Sequence, residues 1–393
     1  MARKTIKGLE VIITDLEKRL NEQNKINVEL HNQISQMQMI ADDKFENSPI
    51  YHQMVKEIEK LKAIIRLNEI NTKSKELLIE KAHKTRLKYF KNKVYIRGLV
   101  ELTSFCKKDC LYCGLRRTNK NAQRYRLSKE EVLECVRAGD KLGYKTIVLQ
   151  GGEDAYFNDE VMVDIIKSIK KEFPNNAITL SLGERSYESY KKMYDAGADR
   201  YLLRHESASK KLYEDIHPGE PFEIRRKCLK NLKDIGYQAG AGFMVGIPNQ
   251  TNEDLVNDLL FVKEFEPAMC GIGPFIPHKD TPLKDYEHGS LEKTIICLSI
   301  VRLLLPKVLL PATTALSSIS ENGREEGLKA GGNVIMPNLS PMSVRKKYSL
   351  YDNKAYILDE DAQYKKMIEE KLKKVGFEIE ITRGDNPDFV EKL

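Results

Sequence analysis

The chain reads as an α/β protein, a (β/α)8 TIM-type barrel preceded by an N-terminal helical, coiled-coil extension. From Val94 onward, apolar runs of strand length alternate with amphipathic segments, the pattern of a parallel sheet with helices outside it. Eight such runs are present, which suits a closed eight-stranded barrel. Before that point, residues 6–37 carry apolar positions at spacings of three and four, the seam of a coiled coil. An open doubly wound sheet is the alternative arrangement of the same units.

The seam of the extension runs Ile6, Leu9, Ile13, Leu16, Leu20, then polar Gln23 and Asn27, then Leu30, Ile34 and Met37. Asn27 at a core position would fix register at some cost in stability. After a break at 42–49 the seam resumes at Tyr51, Met54, Ile58, Leu61 and Ile65. A hairpin, a dimerisation arm and a long helix packed on its own catalytic domain all fit this pattern. The expected domains are the extension at 1–75, the barrel at 76–350 and an α/β tail packed on it at 351–393.

Strands are expected at 94–102, 146–149, 178–182, 201–203, 243–247, 270–276, 308–316 and 334–336. Several follow a glycine that ends the preceding helix, at Gly143, Gly197, Gly236 and Gly331-Gly332, where a left-handed residue turns the chain toward the sheet.

Composition narrows the class. In 393 residues, 41% apolar content is enough for a proper core of one large barrel or two domains. Lys and Arg number 65 against 58 Asp and Glu, a mild excess with no Arg-rich arm, so no nucleic-acid partner is expected. The start Met1-Ala-Arg-Lys-Thr lacks the apolar core of a signal peptide. The most apolar segment, 295–316, is broken by Arg302, Pro306, Lys307 and Pro311, so no membrane span is expected. Cys135, Cys228, Cys270 and Cys297 stand singly, as buried free thiols do. A reducing compartment follows, and the expected location is the cytoplasm.

The other three cysteines form Cys106-Lys-Lys-Asp-Cys110-Leu-Tyr112-Cys113. Three thiolates leave a metal site open for chemistry, whereas closed zinc and ferredoxin-type sites take four ligands. A zinc site completed by a distant residue such as His205 or His278, or plain buried thiols, are the alternatives. The loop follows the first strand, on the face where barrels of this kind keep their active sites. The second strand ends in Gln150-Gly151-Gly152-Glu153-Asp154, where glycines admit close backbone approach and the carboxylate can accept from an ammonium group. The fourth ends in Arg204-His205-Glu206, a surface exit or a site. Arg225 follows on the next helix with a planar fork suited to a carboxylate. Thr251 and Asp254 read as a helix cap, and His278 as a ligand or a hydrogen-bonded loop residue. Thr313 and Thr314 suit an anion or a cap, and Met336 and Tyr348 read as core.

The cysteine spacing and Tyr112 resemble the signature of radical S-adenosylmethionine (SAM) enzymes. The combination with Arg124-Tyr-Arg126, Leu-Gln-Gly-Gly-Glu-Asp154, Tyr-Leu-Leu-Arg-His-Glu206, Gly-Ala-Gly242, Gly-Ile-Gly-Pro-Phe-Ile-Pro-His278, Pro-Ala-Thr-Thr-Ala315 and Asn-Val-Ile-Met-Pro337 resembles the HydE family over about residues 76–350. HydE enzymes help build the diiron site of FeFe-hydrogenase.

The resemblance implies one 4Fe-4S cluster held by Cys106, Cys110 and Cys113, with SAM chelating the fourth iron. It implies that Tyr112, Gly151, Gly152 and Glu153 contact SAM, and that Glu206 and Arg225, with Arg204 beside them, grip its ribose and carboxylate. Arg97, Thr179, Met269, Thr313, Thr314, Met336 and Tyr348 match residues lining the family's substrate cavity. Reductive SAM cleavage to a 5′-deoxyadenosyl radical is the implied reaction, on a cysteine-bound iron carbonyl cyanide complex made by HydG. HydG, HydF and a reductant such as ferredoxin or flavodoxin are the implied partners, and the heptads allow self-association. Methylornithine synthase (PylB) and biotin synthase, acting on amino-acid-type substrates, match less well. A zinc-stabilised coiled-coil scaffold is the non-enzymatic alternative.

Three departures stand out. Gly151 replaces a frequent family serine. No cysteine follows residue 349, so no second cluster is expected. The extension is foreign to the family pattern.

Overall fold

The structure is a computed structural model that describes residues 21–37, 49–354 and 362–390. Two compact units emerge, one of Met1–Lys75 with Thr251–Asn257 and the other of Glu76–Gln250 with Asp258–Leu393. The first five seam positions, Ile6 to Leu20, lie outside the described residues.

In the first unit a helix over 21–37 meets the helix Pro49–Asn68. Ile34, Leu61, Ile64 and Ile65 are buried together with Val256, and Leu30 and Met37 pack against them. Asn27 is buried and accepts a hydrogen bond from Asn68 Nδ2 at 2.8 Å. Asn252 in turn donates to Asn68 Oδ1 at 2.6 Å. A buried amide needs such partners, and these pair an early residue of one helix with the end of the other. The two seams therefore meet within one chain as an antiparallel hairpin. Thr251 and Asp254 form the expected cap, each backbone N–H bonding the other's side chain.

The second unit is a (β/α)8-type barrel. Its first strand is bent at Arg97 into β1 (Lys93–Ile96) and β2 (Gly98–Thr103), in place of one run over 94–102. After β2 come β3 (Thr146–Gly151), β4 (Ala177–Ser181), β5 (Arg200–Leu202), β6 (Gln238–Val245) and β7 (Met269–Pro274), all parallel and in chain order. Parallel β8 (Val334–Ile335) pairs with β1.

The seventh position between β7 and β8 holds only Leu309 to Pro311, bridged to Met269 on one side and Val334 on the other. The Cys270 N–H donates to Leu309 O at 2.9 Å, and Ala312 N–H to Val334 O at 2.9 Å. This corrects the strand expected at 308–316. Pro311 has no N–H to extend the ladder, and Thr313 is already the N-cap of the helix Thr314–Ile319.

Strand residues such as Val100, Leu149, Ile178 and Leu180 are buried against Val136, Ile166, Met193 and Leu229 of the outer helices. Each contributes about 1.5–3 kcal/mol by leaving water. The glycines expected to end helices, Gly143, Gly197, Gly236 and Gly331, all have left-handed φ.

β9 (Glu378–Glu380) runs parallel to β1, and the turn after it crosses the N-terminal end of the barrel. Thr146 Oγ1 and Arg200 Nη2 both donate to Arg383 O, at 2.7 and 2.6 Å. Arg200 also pairs with Asp385, to which Gln238 Nε2 donates at 2.7 Å. Asn386 Nδ2 donates to Ala268 O and Lys307 O, and Arg97 Nη2 to Gly384 O at 3.3 Å. These partners stand at or next to the starts of different strands, so residues 382–386 form the barrel's floor. Among the described residues no helix is long and apolar enough to cross a membrane.

Candidate active site

Past Thr103 the chain enters the cysteine loop, whose backbone is gathered by one side chain. Arg124 donates to the carbonyls of Leu115 at 2.9 Å, Arg116 at 2.8 Å and Asn119 at 3.3 Å, and to that of Ser104. Asp109 accepts from Arg116 Nε at 2.9 Å and Thr118 Oγ1 at 2.8 Å. The loop so folded carries Cys106, Cys110 and Cys113, all half-buried and free of disulfides.

Burial raises all three thiols, Cys113 to about 12, and mutual repulsion adds to the rise at Cys110. Such a thiol keeps its proton until a metal displaces it. Among the described residues no three His, Cys, Asp or Glu side chains converge on one ion position. Cluster ligation, with each sulfur on a different iron, does not require that convergence.

At the end of β3, Gly152 lets the turn press on this loop. A Cβ there would lie 2.2 Å from Phe105 O and 2.7 Å from Cys106 Cβ, so only glycine fits. A Cβ on Gly151 would meet Thr103 Cγ2 at 3.0 Å, a contact the family serine would have to relieve. The Glu153 N–H points at Cys106 Sγ, 3.4 Å away. Glu153 Oε1 accepts from the Glu184 N–H at 2.8 Å, but its buried Oε2 has no hydrogen bond. Burial raises this carboxyl above its usual range, against the pull of Lys108.

Beyond β4, Glu184 joins Lys108 Nζ at 2.7 Å and Arg225 Nε at 2.7 Å. Burial alone would raise Glu184, but the two cations hold it below its usual range. Arg225, from the helix Phe222–Ile235, also donates to Arg204 O at 2.6 Å. Beyond β5, Arg204 Nη2 lies 3.2 Å from Glu206 Oε2, yet neither atom is aligned for a hydrogen bond, and Arg204 Nε is likewise unpartnered. Glu206 sits at φ +62, a conformation costing about 1–2 kcal/mol outside glycine. Its N–H donates to Gly242 O and its carbonyl accepts from Met244, which hold it there.

Tyr112 is anchored by His217. His217 Nδ1 bonds Tyr213 O at 2.8 Å and must donate, leaving Nε2 to accept from the Tyr112 hydroxyl at 3.0 Å. Burial pushes His217 down to about 3, so the ring stays neutral. The two imidazoles of the zinc alternative are engaged elsewhere. His205 is fully buried, accepting from the Gly242 N–H at 3.3 Å and lying 3.3 Å from Asp258. His278 accepts from the Asp280 N–H and contacts Ser349 Oγ at 3.2 Å.

Inside the barrel, Arg97 Nη1 donates to Met269 Sδ at 3.1 Å, while its Nε is buried without a partner. The hydroxyls of Thr179 and Thr313 are also buried and unpartnered. Gly271 and Gly273 share the inward face of β7 with Met269. A Cβ on Gly273 would meet Thr313 Oγ1 at 3.1 Å, and one on Gly271 nothing nearer than Arg204 Cδ at 3.8 Å, so both leave room. Met336 packs on the small cluster of Met269 and Val334. Tyr348 stands apart with Gln150, whose Nε2 donates to its hydroxyl at 3.2 Å. Thr314 opens its helix and is half-buried. Lys108, Glu184, His217 and Gln150 were not singled out from the sequence. Gly183-Glu184 just beyond β4 repeats the Gly-Glu signal of β3 and was the available clue.

Residues 100–262 match the family model of the Radical SAM superfamily. The chain is 50% identical over 286 residues to the FeFe-hydrogenase maturase subunit HydE of Thermotoga maritima, covering 73% of this chain and 82% of that one. To 3-methylornithine synthase of Methanosarcina acetivorans it is 30% identical over 305 residues, 77% of this chain and 85% of that one. The crystal structure of methylornithine synthase (PylB) superposes with a TM-score of 0.73 at 25% identity, over 85% of this chain and 96% of that one.

Proposed function

The chain belongs to the HydE family of radical SAM enzymes, which use a 4Fe-4S cluster and SAM, and on that premise we propose that it is a maturase acting in assembly of the FeFe-hydrogenase diiron site. The observation that carries the reading is a set of buried polar atoms without hydrogen bonds, Glu153 Oε2, Arg204 Nε and Nη2 and Glu206 Oε2, on strand ends beside a loop of three half-buried thiols. Groups of this kind are costly without a partner. Glu153 Oε2 has only the ammonium groups of Lys107 and Lys108 at 3.5 and 3.8 Å, and Arg204 and Glu206 only each other at 3.2 Å; an amino acid with a ribose, as in SAM, offers the ammonium, carboxylate and hydroxyls that would complete their hydrogen bonds.

In this reading Cys106, Cys110 and Cys113 ligate the cluster. Glu153 and the Gly151-Gly152 turn receive the amino group of SAM, and Tyr112 packs beside it. Arg204, Glu206 and Arg225 take its ribose and carboxylate. With both groups bound, the chemistry supplied is reductive cleavage of SAM to methionine and a 5′-deoxyadenosyl radical. The chain's own residues orient the reactants and exclude water. Arg97, Thr179, Met269, Thr313, Thr314 and Met336 would line the cavity for an organometallic or small-molecule substrate, while Tyr348, the seventh residue of that set, stands apart with Gln150. HydG and HydF are the partners this role requires, and the cytoplasm is the compartment that suits its thiols.

The test is activation of apo-hydrogenase by anaerobically purified protein in a defined maturation mixture, with iron and sulfide analysis of the same sample. Activation dependent on this protein is expected. Zinc without iron or labile sulfide would overturn the cluster assignment. Turnover of lysine without activation would favour the methylornithine synthase reaction.

A further inference from the structure

Glu184 is not among the residues assigned to SAM, yet it bonds to groups from three of the elements that carry them. Its side chain is 8% exposed, and it stands just past β4 on a turn with little freedom. Gly183 has φ +74, and a Cβ there would lie 2.2 Å from both Cγ and Oε1 of Glu153. Only glycine fits, and it lets the turns after β3 and β4 press together. The Gly183 carbonyl is fixed in turn by the hydroxyls of Tyr190 at 3.1 Å and Tyr201 at 2.9 Å, which both donate to it.

From this turn Glu184 reaches in three directions. Its N–H donates to Glu153 Oε1 at 2.8 Å. Its Oε2 accepts from Lys108 Nζ at 2.7 Å, and Lys108 lies in the cysteine loop between Cys106 and Cys110. Its Oε1 accepts from Arg225 Nε at 2.7 Å. Arg225 Nη1 donates to the Arg204 carbonyl at 2.6 Å, so two of the three guanidinium nitrogens are engaged and the plane of the fork is set. Among the described residues Nη2 has no hydrogen bond, which leaves one donor of fixed orientation.

We propose that Glu184 is a positioning residue for SAM, an assignment that rests on the SAM reading of the site: it holds the Arg225 fork so that the free nitrogen meets the ligand, and it ties Glu153 and the cysteine loop to the same turn. A donor held in place before the ligand arrives binds more tightly than one that must be ordered on binding. The task requires a carboxylate. Each oxygen of Glu184 serves one cation, whereas an amide has a single acceptor oxygen and would set its own N–H donors against Lys108 or Arg225.

The experiment assays cluster-loaded, full-length protein for 5′-deoxyadenosine with dithionite over a range of SAM concentrations, reading KM and kcat separately. Glu184→Gln should raise KM for SAM about tenfold or more, the size expected of one charged hydrogen bond, and leave kcat per iron within about threefold. A purely structural role would lower iron content and apparent kcat but leave the KM of the folded fraction alone. The SAM-induced change in the electron paramagnetic resonance spectrum of the reduced cluster, which needs no turnover, should move to higher SAM by the same factor. In an Arg225→Met background the Glu184→Gln change should add less than about twofold, since the group it aims is gone. Glu220→Gln removes a carboxylate from the same Lys108 without touching Arg225 or Glu153, and should keep the wild-type KM. Glu184→Asp keeps the charge but is one methylene short of spanning both cations; its KM should rise about threefold, and it carries the test should the amide variant lose its iron. A wild-type or lowered KM in the Glu184 variants, an equal rise in Glu220→Gln, or full additivity with Arg225→Met would overturn the assignment. Absence of deoxyadenosine from wild-type protein would instead strike the SAM reading.

Discussion

Arg200 and Arg204 stand at the two ends of β5, and their surroundings are opposite. Arg200, at the floor, is fully buried and spends its guanidinium on Gln238, Thr146, the Arg383 carbonyl and Asp385. Arg204, at the mouth, keeps Nε and Nη2 without hydrogen bonds beside a carboxylate oxygen in the same condition. A satisfied buried network stabilises a fold, and an unsatisfied one is costly unless a ligand completes it. The same residue type is thus fully hydrogen-bonded below and left incomplete above, in keeping with the division between the two faces of such a barrel.

That contrast can be broken in four places. The largest effect is expected at the mouth from Cys110→Ala, which should abolish iron retention and 5′-deoxyadenosine formation while the thermal midpoint of the metal-free protein stays within a few degrees; unchanged deoxyadenosine would refute the ligand assignment. At the floor, Arg200→Met leaves Asp385 with Arg383 and Gln238 but removes the bonds from Arg200 to Asp385, the Arg383 carbonyl and Thr146, and should destabilise the protein by about 1–3 kcal/mol, read from urea unfolding. A loss below about 1 kcal/mol would mean that the floor is not structural.

Back at the mouth, Arg204→Met removes a guanidinium that makes no side-chain hydrogen bond and only an ion contact to Glu206 at 3.2 Å, and should lower urea stability by less than Arg200→Met does. SAM binding should weaken by about tenfold to a hundredfold, the worth of one charged hydrogen bond; a stability loss as large as that of Arg200→Met would erase the contrast. The smallest effect concerns acid. Burial favours protonation of Asp385, but Arg200, Arg383 and Gln238 outweigh it and hold its pKa down to about 2. Its contribution is therefore complete above the unfolded value of about 3.9 and fades as pH falls toward 2. Asp385→Asn should flatten the slope of stability against pH in that window, and an unaltered slope would exclude the carboxylate.

Legibility followed the range of the interactions. β3, β4, β5 and β7 announced themselves through apolar runs, but β6, expected at 243–247, begins at Gln238 because Gln-Ala-Gly-Ala-Gly242 is too small and polar to read as an apolar run. The seventh strand was drawn too long because Pro311-Ala-Thr-Thr-Ala-Leu316 is apolar enough to continue a strand, while Thr313 in fact starts a helix. The bend at Arg97 carries no local mark. The three thiols were legible from spacing alone. Lys108, Glu184 and His217 were not, since their roles depend on Glu153, Arg225 and Tyr112, brought to them from other strand ends. Thr382-Arg-Gly-Asp-Asn386 reads as an ordinary polar turn, and nothing local tells that the starts of several strands are waiting for it.

That floor also bears on the order of synthesis. Residues 378–386 leave the ribosome after every barrel strand has been made. Until they arrive, Arg97 and Arg200 have no Gly384, Arg383 or Asp385 to bond, and β1 lacks one of its two neighbours. A nascent barrel can gather its helices and its cysteine loop early, but it remains open at the base, and exposed to misassembly, until its final strand is delivered.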